Sequence, residues 1–303
     1  MAQKTKKFIK YFLDLAQFYL SRLKFSGSNK ADVEGLRCLK DQGFLQLKKH
    51  TSPAALLKFK NDFILDYKIG VDFAPVHLHK DALDDEIRSE KFRRVTQDHS
   101  LDSLRQLTNY LKYRDPLVRW PSIIETILSE DIIDIAEAYL GAKPAITGCT
   151  FNRMFANSIL PMEAQRIHSD GNSVKFLKVF AYLQDTGPDM GPTHYFAGSH
   201  KLGVRKRLAD SYRIHPNYIK GLGFSEAAAL TGEIGDINIC DTTGFHYGAK
   251  PKTRDRDMIT LNLSIHREYF SSKVHLPPKI KAVDAYWFRR MKKRGLFRYA
   301  QIV

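Results

Sequence analysis

The chain has 303 residues, enough for one large domain that buries roughly 75% of its unfolded surface, or for two small ones. With 43% apolar and 12% aromatic residues, it is not a disordered polymer. A formal charge of +15 would suit nucleic acid or an anionic membrane, but the excess sits at the two ends: residues 1–30 carry seven basic side chains against one acid, and residues 273–303 carry nine against one.

The expected organisation follows from that distribution. Residues 1–30 form a basic amphipathic helix, 31–272 a single domain, and 273–303 a basic tail. Phe8, Phe12, Leu15, Tyr19 and Leu23 line one helical face, with Lys7, Lys10, Asp14, Gln17, Ser21 and Lys24 on the other. Such a helix packs on the main domain or lies on an acidic membrane surface. In the tail, Phe288 to Arg298 interleaves aromatic and basic residues, so peripheral membrane contact through both termini is one expectation and simple packing the other. Ser26-Gly-Ser-Asn reads as a linker. No apolar run approaches the roughly 20 residues of a membrane span, and no cleavage site follows the first helix. Cys38, Cys149 and Cys240 have neither ligand spacing nor an even count, which fits a reduced, cytoplasmic setting.

Residues 32–140 read as mainly helical with short strands. Asp41-Gln-Gly-Phe-Leu is a turn entering a strand, and Ser52-Pro53 opens a helix reaching about Tyr67. Asp81 to Lys91 reads as an acidic, solvated helix, and Ser122 to Leu140 as one helix stopped by Gly141. From residue 145 to 270 the pattern changes to short β-type runs: Ile146 to Phe155, Phe176 to Leu183, His194 to Ala197, Asp236 to Cys240 and Met258 to Ile265. The class is α+β with a mainly β core, and strands of this length and spacing suggest an antiparallel barrel or double-sheet jelly roll.

His168 and Asp170, in Arg166-Ile-His-Ser-Asp-Gly, and His246, in Gly244-Phe-His-Tyr-Gly, are the candidate metal ligands. Two imidazoles and a carboxylate make the facial triad of non-heme Fe(II) sites, which leaves coordination positions open. On a strand, residues i and i+2 share a face, so His168 and Asp170 can grip one ion while the third ligand comes from another strand. His-x-Asp alone is weak, since roughly one is expected by chance in such a chain. A second copy, His79-Lys-Asp81, reads as solvated loop. What separates His168 is its surroundings: the strand Phe176 to Asp185, then Gly191-Pro and Gly198-Ser-His200, then Gly235-Asp236 ahead of His246, then Arg256 ten residues beyond it.

At these residues, over about 144–266, the chain resembles the phytanoyl-CoA dioxygenase family of Fe(II)/2-oxoglutarate-dependent oxygenases. The resemblance implies a double-stranded β-helix, jelly-roll or cupin-like, with helical elements of the first half packed on it. It implies Fe(II) held by His168, Asp170 and His246, with 2-oxoglutarate and O2 as cosubstrates, a small-molecule or lipid-like substrate hydroxylated, and succinate and CO2 released. Arg256 matches the residue that pairs with the far carboxylate of 2-oxoglutarate; Arg254, two residues earlier, is the runner-up. Phe180 matches an aromatic that lines the cosubstrate pocket, a position equally consistent with core packing. His194 and His200 read as structural and Asp185 as a strand-end cap. Two positions depart from the family: Ile167 where Trp often precedes the metal histidine, and Gly248 where a hydroxyl residue is common. Asp170 stands where related halogenases have Gly or Ala, which favours hydroxylation or another oxidation over halogenation. The rival reading is a catalytically idle jelly roll that binds a lipid, a glycan or a protein partner. Specific nucleic-acid binding is not expected, because Lys201 and Arg205 to Arg207 carry no groove-reading motif.

Overall fold

In the computed structural model of the chain, the described residues are 32–66, 73–75, 102, 105, 108, 110–113, 116–156, 165–170, 174–202, 214–266, 274–278 and 284–303. The expected helix in residues 1–30, its linker, the acidic helix and His79-Lys-Asp81 lie outside them.

Asp32 caps helix α1 (Val33–Gln42) by accepting from the amides of Glu34 and Gly35. Gly43 ends it in the left-handed region, at φ 85°, and turns the chain into strand β1 (Phe44–Leu47), as the Gln-Gly-Phe sequence predicts. Helix α2 (Pro53–Asp66) follows, then β2 (Phe73–Pro75), β3 (Tyr110–Tyr113) and the short α3 (Pro116–Arg119). The single helix expected from Ser122 to Leu140 is two, α4 (Ile123–Ile127) and α5 (Glu130–Leu140). Ser129 is extended and caps the amide of Ile132, with Glu130 and Asp131 in the first turn behind it, so the chain stops and restarts there.

The strands that follow are β4 (Ala145–Met154), β5 (Leu177–Tyr182), β6 (Thr193–Tyr195), β7 (Ala228–Leu230), β8 (Ile237–Cys240), β9 (His246–Gly248) and β10 (Arg256–Ser264), with helix α6 (Pro216–Gly221) between β6 and β7. Seven strands form one antiparallel sheet in the order β1-β8-β5-β10-β4-β3-β2, and three form a smaller one in the order β7-β6-β9. Tyr182 ties the two together, its hydroxyl accepting from the Thr193 amide at 2.9 Å. This is the mixed α and β architecture with a jelly-roll core.

The two faces of the large sheet differ in chemistry. One face presents Val179, Ala181, Ile237, Ile239, Ile259, Leu261 and Phe151 to α2, α4 and α5 in a continuous apolar core. Phe59 of α2 meets Trp120 edge-on, with ring centroids 5.3 Å apart. The alternate residues on the other face include Gln46, Asn238, Lys178, Tyr182, Thr260, Asn262, Thr150, Asn152 and Lys112, which the strand registers place together. A sheet face that is enclosed yet polar is a binding surface rather than a core.

Residues 274–278 and 284–303 pack on this domain. Strands β11 (His275–Leu276) and β12 (Gln301–Ile302) pair in parallel, and helix α7 (Ala285–Lys293) buries Met291. Arg290 pairs with Glu130 at 2.7 Å, and Arg294 with Asp134 at 2.6 Å and with Glu137. Several of the basic residues of this segment therefore meet acids of α5.

Candidate metal and anion site

His168 and His246 lie opposite each other and exchange both backbone hydrogen bonds, at 3.0 and 2.9 Å. Two residues on, the Asp170 amide donates to the carbonyl of Thr242, and Ser169 Oγ to that of Thr243 at 2.7 Å. The segment 168–170 is thus laced along 242–246, which brings the three predicted ligands to one point. One ligand atom from each lies within 4.8 Å of the others. Nε2 of His246 is 3.5 Å from Oδ2 of Asp170, and Nε2 of His168 is 3.9 Å from Oδ1.

Tautomer and charge suit metal binding. Nδ1 of His168 is 2.8 Å from the carbonyl of Arg166, and Nδ1 of His246 is 3.0 Å from that of Gly244. A carbonyl only accepts, so each Nδ1 carries the proton and each Nε2 lone pair faces the cluster. Burial, then His168, push His246 down to a pKa of about 3, so the ring is neutral. Burial would raise the pKa of Asp170, but Lys178 and the two imidazoles outweigh it and hold the carboxyl well below its usual range. Two inward-facing imidazole nitrogens and an ionised carboxylate thus offer a donor set suited to a metal ion.

Arg256 begins β10 and is 3% exposed. One guanidinium nitrogen donates to the carbonyl of Gly191, while Nε has no hydrogen-bond partner. Its flanking acids are already taken. Asp255 receives two hydrogen bonds from Arg105, at 2.6 and 3.0 Å, and Asp257 two from Arg153, at 2.7 and 2.8 Å. Among the described residues no carboxylate pairs with Arg256. Burial lowers its pKa, and Tyr182 and Tyr110 are its polar company. Asn152 Oδ1 and Asn238 Nδ2, on the same polar face, are also buried without partners. Enclosed polar atoms of this kind are positions where water or a ligand can bind.

Arg254 is exposed on a bend ahead of the strand, with Nη2 3.8 Å from the sulfur of Met190; β10 starts only at Arg256, so strand period does not set the direction of the Arg254 side chain. Phe180 lies on the polar face, 5% exposed, opposite Thr260 and Asn238, and packs with Tyr182, Tyr195 and Met258. His194 stacks on Tyr247 with centroids 4.7 Å apart, and His200 Nε2 meets the carbonyl of Lys40 at 3.0 Å. Asp185 accepts from the Ile234 amide at 2.8 Å, joining the end of β5 to the turn before β8.

Sequence reading missed Lys178 and Lys112. Lys178 Nζ is 2.6 Å from Oδ2 of Asp170, and Lys112 shares the polar face from β3. The signal for Lys178 was present: it precedes Phe180 and Tyr182 at period two, a lone cation in an apolar strand.

No protein family model matches the chain, and no curated protein matches it. Solved structures do. The non-heme alpha ketoglutarate dependent epimerase SnoN from nogalamycin biosynthesis is 10% identical with a TM-score of 0.55, over 76% of this chain and 81% of that one. The non-heme alpha ketoglutarate dependent carbocyclase SnoK from the same biosynthesis is 14% identical with a TM-score of 0.54, over 87% and 92%. HygX from Streptomyces hygroscopicus, solved with nickel and 2-oxoglutarate bound, is 15% identical with a TM-score of 0.52, over 81% and 91%. At these identities the likeness is one of fold. Fold and site together define a jelly-roll protein with a His-Asp-His cluster and a buried arginine that, among the described residues, forms no ion pair with a carboxylate.

Proposed function

We propose that the chain is an Fe(II)- and 2-oxoglutarate-dependent dioxygenase, similar to the phytanoyl-CoA dioxygenase family, that hydroxylates a small molecule. The observation that carries this reading is the His168–Asp170–His246 cluster, which the Lys178–Asp170 contact ties to the polar face of the large sheet, together with the buried Arg256 on that polar face. Hard carboxylate and borderline imidazole donors suit Fe(II), and a dianionic keto acid supplies both a chelating end and a carboxylate for a buried guanidinium. With these bound, the site supplies O2 activation: one O2 is consumed, 2-oxoglutarate becomes succinate and CO2, and a substrate C–H becomes C–OH.

The chain's own residues set the stage for that chemistry. The carbonyls of Arg166 and Gly244 fix both imidazoles with Nε2 inward. Arg256 presents a planar fork to the far carboxylate of the keto acid and is itself held by the carbonyl of Gly191. Phe180 and Met258 exclude water from the space between. The fold neighbours include an epimerase and a carbocyclase. The Asp170 carboxylate speaks against halogenation, and among the oxidations that such a site supports hydroxylation is the outcome proposed. Purified protein given Fe(II), ascorbate, 2-oxoglutarate and air is expected to release succinate, and the His246→Ala protein to release none. Equal background release from both would contradict the reading and leave a binding module.

A further inference from the structure

Among the described residues, Lys178 is the one cation in direct contact with the candidate cluster, and neither the metal nor the cosubstrate clamp uses it. Its Nζ is 2.6 Å from Oδ2 of Asp170, and the same oxygen is 3.5 Å from Nε2 of His246. A divalent ion held at roughly 2.0–2.2 Å by that oxygen would stand no more than about 5 Å from the ammonium. The lysine is enclosed, its side chain 19% exposed, so solvent screens the encounter weakly. Strand pairing keeps it in place, opposite Cys240 on β8 and Asn262 on β10. Among the described residues, Asp170 is the carboxylate within ion-pair range of Lys178. A metal that claims Asp170 therefore takes the counter-ion of a half-buried lysine. Lys112 on β3 adds a second positive charge to the same space, its pKa lowered by burial and then by Lys178.

We propose that Lys178 couples metal loading to anion binding: its charge opposes a lone divalent ion at Asp170 and is offset when a dianion enters beside that ion. The inference rests on the metal-site reading above. An orienting hydrogen bond to a ligand carboxylate normally strengthens metal binding, but a positive charge at this spacing repels a divalent ion more than one such bond returns. In the presence of 2-oxoglutarate the added negative charge restores balance. By reciprocity, each ligand then raises the affinity of the other beyond what chelation alone gives.

Calorimetric titration of Co(II) into the full chain, with and without 2-oxoglutarate, tests this in the wild type, Lys178→Met and Lys178→Gln. Both variants are expected to bind Co(II) alone at least tenfold more tightly than the wild type. Their gain from added 2-oxoglutarate should be at least tenfold smaller. Thermal melts establish that each protein is folded, and the glutamine variant keeps a hydrogen-bond donor if the methionine variant does not fold. Unchanged or weaker Co(II) affinity in Lys178→Gln, or equal coupling in all three proteins, overturns the inference while His246-dependent binding keeps the metal site. No binding in any protein, or binding that survives His246→Ala, removes both.

Discussion

Arg153 and Asp257 face each other across β4 and β10, joined by two hydrogen bonds of 2.7 and 2.8 Å on the helix-covered side of the sheet. One residue earlier, Arg256 points to the other side, where no described carboxylate meets it. The same strand end thus carries one arginine–carboxylate pair that is closed within the protein and one buried arginine without a described carboxylate partner.

The closed pair is structural. Asp257 is 1% exposed and Arg153 8%, with Lys60 also 3.4 Å from the carboxylate. Asp257→Ala leaves a buried guanidinium without its main partner, which costs about 3–5 kcal/mol. Urea unfolding is the check: the midpoint should drop sharply, and the added mutation Arg153→Met should recover part of the loss.

The open arginine is the proposed clamp for the far carboxylate of 2-oxoglutarate. Losing a charge-assisted fork to a carboxylate costs about 1.5–3 kcal/mol, or roughly ten- to hundredfold in affinity. Arg256→Met is expected to raise the KM for 2-oxoglutarate by that factor with little change in metal affinity. Arg256→Lys should recover only part, because an ammonium lacks the planar fork. Arg254→Met should leave the KM unchanged, since that side chain lies outside the sheet.

Acid sensitivity follows from the cluster's own charges. His246 has a folded pKa of about 3 against an ordinary 6.5, so between those values the unfolded chain binds the additional proton. Stability is therefore retained above about pH 6.5 and falls as the pH drops toward 3, by at most about 1.4 kcal/mol per pH unit from this group. Asp170, held below its ordinary 3.8 mainly by Lys178, withdraws its own contribution only below that value. EDTA-treated wild-type protein should show a lower urea midpoint at pH 5 than at pH 7, and His246→Gln a flatter dependence. Equal slopes would show that this histidine is not buried in its neutral form.

The metal cluster was legible because its spacing is local. His168 and Asp170 share a face by strand period alone, and Gly235-Asp236 marks the strand that leads to His246. The jelly roll was legible from short runs broken by turn residues. What needed the structure was cross-strand pairing. Lys178 and Asp170 are eight residues apart, but their contact depends on how 168–170 lies along 242–246. Arg256 and Arg254 look equivalent until the start of β10 is known. The break at Leu128-Ser129 was hidden because apolar residues keep helical spacing on both sides of it. The C-terminal charges look like a free tail until Arg290 and Arg294 are set against the acids of α5.

The most direct measurement is anaerobic 2-oxoglutarate binding to protein reconstituted with Fe(II). In the wild type, binding should require iron. It should be lost in His168→Ala, Asp170→Ala and His246→Ala while each variant remains folded. Binding of 2-oxoglutarate that is indifferent to iron and to all three side chains would contradict the proposed site.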